Sequence, residues 1–324
     1  MFFSIIVPCF NSENFINKTT SMLTQQSFND FEVIFIDDGS SDYTFDILAS
    51  ISKSVPYKTT ILQNTKNSGP GITKGVGVDK SKGDYLLFMD SDDWFEPEAL
   101  QLLYTHLSQH HSDIVFFDAY RAYNTGKKIL ISNSEAFNHC QTNSDYIALA
   151  KGCLPYMCFK SELWSGITFP ALYNAEDIAV IPILISKAKN ISVLASPLYN
   201  YYYRVESLSN TPSADIYKSF LRSYKYTCEK MIVGKFDEAL EFHGIKNVLY
   251  GAILNALRAG VGKNIFIDII DDFEQKYPFW ISNKYISYLP LVKRIFLTQV
   301  LKKRFHLLMM YVKLHRFALE HLKI

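Results

Sequence analysis

The chain has 324 residues, 48% of them hydrophobic, and a formal net charge of +1, enough for one large α/β domain with an appendix or for two modest domains. The charge is uneven: Pro290 to Ile324 carries eight Lys or Arg against one acid, Glu320, leaving 25 basic and 31 acidic side chains in the first 289 residues. Five cysteines (9, 140, 153, 158, 228) form no CxxC pair or His/Cys grouping, and no apolar run approaches the ~18 residues that span a bilayer, which excludes a zinc module, a disulfide framework and a transmembrane helix.

In chain order, short apolar runs alternate with amphipathic stretches over the first hundred residues, the rhythm of parallel strands joined by crossover helices. Strands are expected at Phe2–Val7, Phe31–Ile36, Thr59–Leu62 and Tyr85–Met89, and helices at Glu13–Gln26, Asp42–Ser52, Gly71–Ser81 and Pro97–Gln109. Ser4–Phe10 reads as a strand entering a turn rather than as a leader. Beyond residue 110 the expected elements are strands Asp113–Tyr120 and Lys128–Ser132, a helix Ile178–Ala188, and strands Ile191–Leu194 and Leu198–Tyr203. From Ala214 onward nearly everything can be helical, with breaks near Gly234, Gly244, Gly262, Pro278 and Pro290.

Ligands of an open parallel sheet sit beyond the carboxyl ends of its strands. Pro8-Cys9-Phe10-Asn11, Asp37-Asp38-Gly39-Ser40 and Asp90-Ser91-Asp92-Asp93 fall at three such ends. A carboxylate at Asp37 or Asp38 can accept from a base N–H or a ribose hydroxyl; the alternative is that Asp-Gly-Ser only turns the chain and caps the next helix. Three acids within residues 90–93 repel one another unless a cation or ligand balances them, and a hard divalent ion completed by substrate phosphates is the usual balance. The plain alternative is a solvated acidic turn capping the helix at Pro97. Asn67–Gly71, glycine-rich and leading into a helix with Lys74, can approach a phosphate.

The segments SIIVPCFN (4–11), VIFIDDGSSD (33–42), NSG (67–69), GDYLLFMDSDDW (83–94) and AED (175–177) resemble the inverting family 2 glycosyltransferases of the GT-A fold, in the bacterial group that builds surface glycans. The resemblance covers residues 1–210. It implies a Rossmann-like, mostly parallel sheet flanked by helices, and transfer of a sugar from a nucleotide-sugar donor, of UDP type, to a glycan acceptor, including lipid-linked ones. It assigns Pro8, Asn11 and Asp37 to the nucleotide pocket, with Asp37 on the uracil base. Asp90 and Ser91 go to the donor side and Asp92 to a Mn2+ or Mg2+ ion on the diphosphate. Asp177, in the ED pair with Glu176, is the general base that takes the acceptor proton. Lys74 stands where relatives usually have Arg, so a point charge replaces a bidentate fork on the donor side. Glu176, Trp94 and Arg204 are further candidates for acceptor or phosphate contact, and the segment Leu154–Lys160 aligns with one beside the acceptor. For Trp94 and Trp164 core packing is the competing expectation, for Arg204 it is surface pairing with Glu206, and for Glu176 and Asp177 it is a first helical turn whose dipole favours acids.

Residues 211–324 are expected to form a helical C-terminal region. Its end, 289–324, can place Ile295, Val300, Leu301, Phe305, Leu308, Met309, Val312 and Phe317 on one helical face, with Lys302, Lys303, Lys313 and Arg316 outside it. Such a face either lies on an anionic membrane, making the protein peripheral on the inner face of the cytoplasmic membrane, or packs on the preceding helices or a second subunit. No nucleic-acid reader motif is present. A nucleotidyltransferase and an inactive sugar-binding scaffold are the rival functions; the first lacks its glycine-rich phosphate loop, and the retained acids oppose the second.

Overall fold

The computed structural model of the protein describes residues 1–172, 174–204, 213–232 and 234–321, with side chains described as far as Leu314. Strands β1 (Phe3–Cys9), β2 (Phe31–Asp37), β3 (Lys58–Gln63) and β4 (Tyr85–Phe88) are joined by helices α1 (Ile16–Thr24), α2 (Thr44–Ile51) and α3 (Pro70–Lys80). They run parallel in the order β3-β2-β1-β4. β1, β2 and β4 are almost wholly buried; a strand covered on both faces needs an unbroken apolar run rather than alternation. Cys9 pairs with Asp37 and Ile6 with Phe88, so the three acidic or polar segments leave the sheet along one edge, as expected.

The chain continues through β5 (Trp94–Phe95), α4 (Ala99–His110), β6 (Ile114–Ala122), β7 (Lys128–Ile131), α5 (Ser134–Phe137), α6 (Asn143–Leu149), β8 (Met157–Lys160), α7 (Glu176–Lys187) and β9 (Ile191–Tyr202). Among the described residues these extend the sheet as β4-β8-β6-β9-β5, with β7 on β6. Two differences from the sequence expectation have local causes. β8, antiparallel to both β4 and β6, was not expected as a strand; its four residues carry too little pattern to stand out. β9 is one strand rather than two: Pro197, which has no N–H for the ladder, is absorbed by register shifts on either side of Asp118 instead of ending the strand.

The C-terminal region is helical, as expected: α8 (Ala214–Lys230), α9 (Asp237–Gly244), a π-helical stretch Ile245–Ala252, α10 (Ile253–Arg258), α11 (Lys263–Lys276), α12 (Leu291–Leu301) and α13 (Phe305–His321). The break expected at Gly244 is absent, and α9 runs straight into the π-helical stretch. A Cβ at Gly244 would lie 2.5 Å from the Phe273 ring and 2.8 Å from that of Tyr224, so this glycine serves close packing rather than interruption. One apolar cluster runs from Ile34, Phe88 and Trp164 through α7 to Phe242 and Phe296, tying these helices to the sheet. Trp164 belongs to that core, 5.2 Å from the Phe88 ring.

The tail is split where Lys303 takes a positive φ of 49°. Val300, Leu308 and Val312 are buried against the preceding helices, whereas Ile295 of the expected face is 50% exposed. Arg316 and Phe317 lie outside the described side chains. No helix among the described residues is long and apolar enough to cross a membrane.

Candidate active site

The end of β1 and the turn after β2 are fastened to each other. Asn11, at φ 48°, accepts from the Ser41 N–H at 2.9 Å, while its own N–H donates to Ser40 Oγ at 2.9 Å. Asp37 is fully buried; one carboxylate oxygen accepts from Gln63 Nε2 at 3.1 Å, and the other has no partner. Asp38, expected beside Asp37 at the sheet edge, organises the next loop by accepting from the Ser68 and Gly69 N–H groups, both at 2.9 Å, and from Asn64 Nδ2 at 2.7 Å.

That loop starts α3, whose N-terminus packs on α7: a Cβ at Gly71 would lie 3.0 Å from Glu176 Cβ. The contact delivers Lys74 to the start of α7. Its Nζ donates to Glu176 Oε1 at 2.6 Å and to Asp177 Oδ1 at 2.7 Å, with the lysine side chain only 5% exposed. Lys74 therefore meets the ED pair, whereas a donor phosphate was the expected contact. Asp177 Oδ2 accepts from the Leu154 N–H at 3.0 Å. Burial pushes the Asp177 carboxyl up, to about 7, against the pull of Lys74, and Glu176 adds to the rise. Ala175, which precedes the pair, holds a left-handed φ of 65°, and its carbonyl accepts from Ser223 Oγ of α8 at 2.6 Å.

The four residues 90–93 have separate surroundings. Asp93 is buried and structural: Tyr199 donates its hydroxyl to Oδ2 at 2.7 Å and Tyr202 its N–H to Oδ1 at 2.7 Å. The same Tyr199 oxygen accepts from the Asp90 N–H at 3.1 Å. Ser91 shares a hydrogen bond with Ser12 Oγ at 2.7 Å. Asp92 faces the Arg204 guanidinium at 2.5 Å, which also lies 4.5 Å over the Phe15 ring. The Asp90 carboxyl is pushed up to about 6, first by burial, with Lys74 opposing and Asp92 and Glu176 adding to the rise.

These groups converge on one cavity of about 900 Å³, lined also by Pro8, Cys153, Tyr156 and Asn174. Asn174 brings a buried Oδ1 without a partner. Asn11, Asp37 and Trp94 are not in its lining; Trp94 instead lies under Lys18, 3.7 Å from Nζ to the ring centre. Asp38, Asp90, Asp92, Asp93, Glu176 and Asp177 face only Lys74 and Arg204 as fixed cations in the lining. Carboxylates gathered in this number favour a cation beside any anionic ligand. Among the described residues no three His, Cys, Asp or Glu side chains gather as a protein-built metal cage. Asp90 and Asp92, with the remaining positions left to phosphate and water, fit a hard ion such as Mg2+ or Mn2+.

The family model for glycosyl transferase family 2 matches residues 4–153. This segment is a family 2 glycosyltransferase domain. Two curated relatives are a poly(ribitol-phosphate) beta-N-acetylglucosaminyltransferase, TarS, of Staphylococcus aureus, 31% identical over 206 residues (62% of this chain, 35% of the relative), and a poly(ribitol-phosphate) beta-glucosyltransferase of Bacillus spizizenii, 33% identical over 214 residues (63% and 32%). The match thus spans about a third of these relatives' length. The crystal structure of S. aureus TarS 1–349 in complex with UDP-GlcNAc superposes with a TM-score of 0.71 at 22% identity, covering 98% of this chain and 92% of that one. The fold is accordingly GT-A, with a helical C-terminal region.

Within the family 2 domain and the elements that follow it, the structure brings Pro8, Lys74, Asp90, Ser91, Asp92, Glu176, Asp177 and Arg204 to one cavity. Tyr199 and Asp38 were missed as organisers. Tyr199 opens the run YNYYYR (199–204) and Asp38 adjoins Asp37, but nothing in a linear sequence links Tyr199 to Asp93.

Proposed function

We propose that the chain is an inverting glycosyltransferase that moves a sugar from a UDP-sugar donor to a hydroxyl of a glycan acceptor in bacterial surface-glycan assembly. The observation that carries this reading is the Asp177 carboxylate, raised by burial and oriented by Lys74 and the Leu154 N–H, in the same cavity as Asp90 and Asp92. In this reading the acceptor oxygen forms a bond to the anomeric carbon as the bond to the diphosphate oxygen breaks on the opposite face. The electron pair leaves with the diphosphate, and the acceptor proton passes to Asp177. A divalent ion held by Asp92 and Asp90 would supply positive charge for the departing diphosphate. Arg204 adds a guanidinium beside Asp92, and Glu176 shares Lys74 and so fixes its position. The unpartnered buried oxygen of Asp37 supports a nucleotide-base contact there, with Pro8 and Ser91 on the donor wall.

The reading includes a cytoplasmic enzyme held at the inner membrane face by its basic end. The support is a set of outward side chains, among them Leu291 at 63%, Met310 at 58% and Leu314 at 66% exposed, alongside Lys302 and Lys313.

A panel of nucleotide sugars with the full chain tests the chemistry. UDP release that requires Mg2+ or Mn2+ is expected, with Asp177→Asn and Asp92→Ala each lowering transfer by about 10²–10⁴-fold. Near-normal transfer by both variants would sink the assignment, and pyrophosphate as the product would make the protein a nucleotidyltransferase.

A further inference from the structure

A second cavity of about 710 Å³ lies behind the first, and Gly152 and Ile178 line both. It is bounded by α6, α7, the π-helical stretch and the start of α12, and its charge is opposite to that of the catalytic cavity. Lys151, Lys246 and Lys293 line it against a single acid among the described lining residues, Glu135. The three ammonium groups are held inward by neutral partners. Lys246 Nζ donates to the Ala150 carbonyl at 2.9 Å, Lys151 Nζ donates to the Ser132 carbonyl at 2.8 Å, and Lys293 Nζ sits 4.9 Å over the Tyr250 ring.

None of the three makes an ion pair with a carboxylate among the described residues, whereas Lys74, Lys128 and Lys303 do. Three ammonium groups in a recess whose lining offers one acid, Glu135, with Asp118 acting on Lys151 from outside it, leave an excess of positive charge that a bound anion balances. Burial lowers Lys246 to about 7 and Lys293 repels it further, the condition that a bound anion relieves. Burial likewise holds His243 down at about 3, so this ring is neutral and the positive charge of the recess comes from the lysines. The backbone contributes too. The π-helical stretch turns Lys246, Asn247 and Tyr250 to the cavity together. Lys293 lies in the first turn of the eleven-residue α12, whose positive dipole end faces the same recess.

We propose that this second cavity is a phosphate-binding site that takes a phosphoester group of the acceptor while the acceptor hydroxyl lies at Asp177. The proposal rests on the transferase reading above for the word acceptor; the anion site itself does not. The connection runs through the shared wall, because Lys151 directly precedes Gly152 and Ile178 directly follows Asp177. In this proposal an acceptor with a phosphoester close to its reactive hydroxyl passes the wall formed by Gly152 and Ile178 to engage both cavities, and a neutral glycan loses the second set of contacts.

Full-length protein is titrated with sn-glycerol 3-phosphate and with inorganic phosphate, with glycerol as the neutral control. Binding is read by calorimetry, and protection of individual lysines from an amine-reactive label is read by mass spectrometry. Glycerol phosphate is expected to protect Lys246 and Lys293 and to go on doing so at saturating UDP with Mg2+. The double variant Lys246→Gln/Lys293→Gln is expected to bind it at least tenfold more weakly while retaining UDP affinity, and Lys246→Arg/Lys293→Arg to restore binding. Equal binding by wild type and the Gln variant, displacement of the probe by UDP, or labelling unaffected by the probe would each overturn the site. Failure of UDP binding with lysine protection intact would overturn the transferase reading and leave the anion site standing.

Discussion

Lys74 keeps Glu176 and Asp177 together at the start of α7, where the buried Glu176 and part-buried Asp177 carboxylates would otherwise repel. Removing one member of such a cluster leaves an uncompensated buried charge, so Lys74→Met is expected to lower unfolding stability by about 3–5 kcal/mol in chemical denaturation. The same change has a signature that simple destabilisation lacks. As the proposed general base Asp177 must be ionised to take a proton, and its carboxyl is raised to about 7. The kcat/KM of wild type is therefore expected to fall as pH drops through about 7 and to level off above it. Lys74 pulls that value down, so its loss moves the acid limb to higher pH, whereas Lys74→Arg leaves the limb near its original place. An unshifted limb in Lys74→Met would mean that another group governs the profile. Asp90, Asp92 and Asp177 could be named from the sequence because each sits in a short motif at a strand or helix end. The lysine contact could not, because it joins residues 102 and 103 positions apart through the packing of two helices.

At the level of elements, the parallel half of the sheet was legible because β1, β2 and β4 are buried on both faces and appear as continuous apolar runs. β8 was not, since its partners on either side arrive from distant parts of the chain and its own four residues show no period. Gly244 misled for a related reason: in sequence a glycine amid helical residues signals a stop, and only the folded chain reveals the two rings resting on it. Gly244→Val is expected to cost about 1–3 kcal/mol through overpacking against Phe273 and Tyr224, read as a lower denaturation midpoint. Loss of the α6 capping box, in which Thr142 accepts from the Asp145 N–H, is expected to cost about 1 kcal/mol in Thr142→Ala.

Across the whole molecule the charge asymmetry of the sequence divides in two. Part of the basic tail is internal, with Lys303 paired to Asp271 and Glu274 and Lys293 turned into the second cavity. Arg294, Lys302, Arg304 and Lys313 are exposed, like the apolar side chains Leu291, Met310 and Leu314. The full chain is expected to pellet with vesicles containing phosphatidylglycerol and to stay in solution with phosphatidylcholine alone, and Leu291→Asp/Met310→Asp is expected to abolish pelleting. Concentration-dependent self-association in place of pelleting, lost in the same variant, would identify the face as a subunit contact. The brace between α8 and α7 acts over the same scale. Ser223 holds the carbonyl of the left-handed Ala175, and Thr227 holds that of Ala179 at 2.9 Å, so the helical region sets the backbone geometry on both sides of Asp177. Exchange of this region between related enzymes is thus not a neutral swap of an accessory. If the proposed transferase roles hold, a recombinant that kept every donor-side motif but received a foreign α8 would inherit its nucleotide preference from one parent and its catalytic competence from the fit between both.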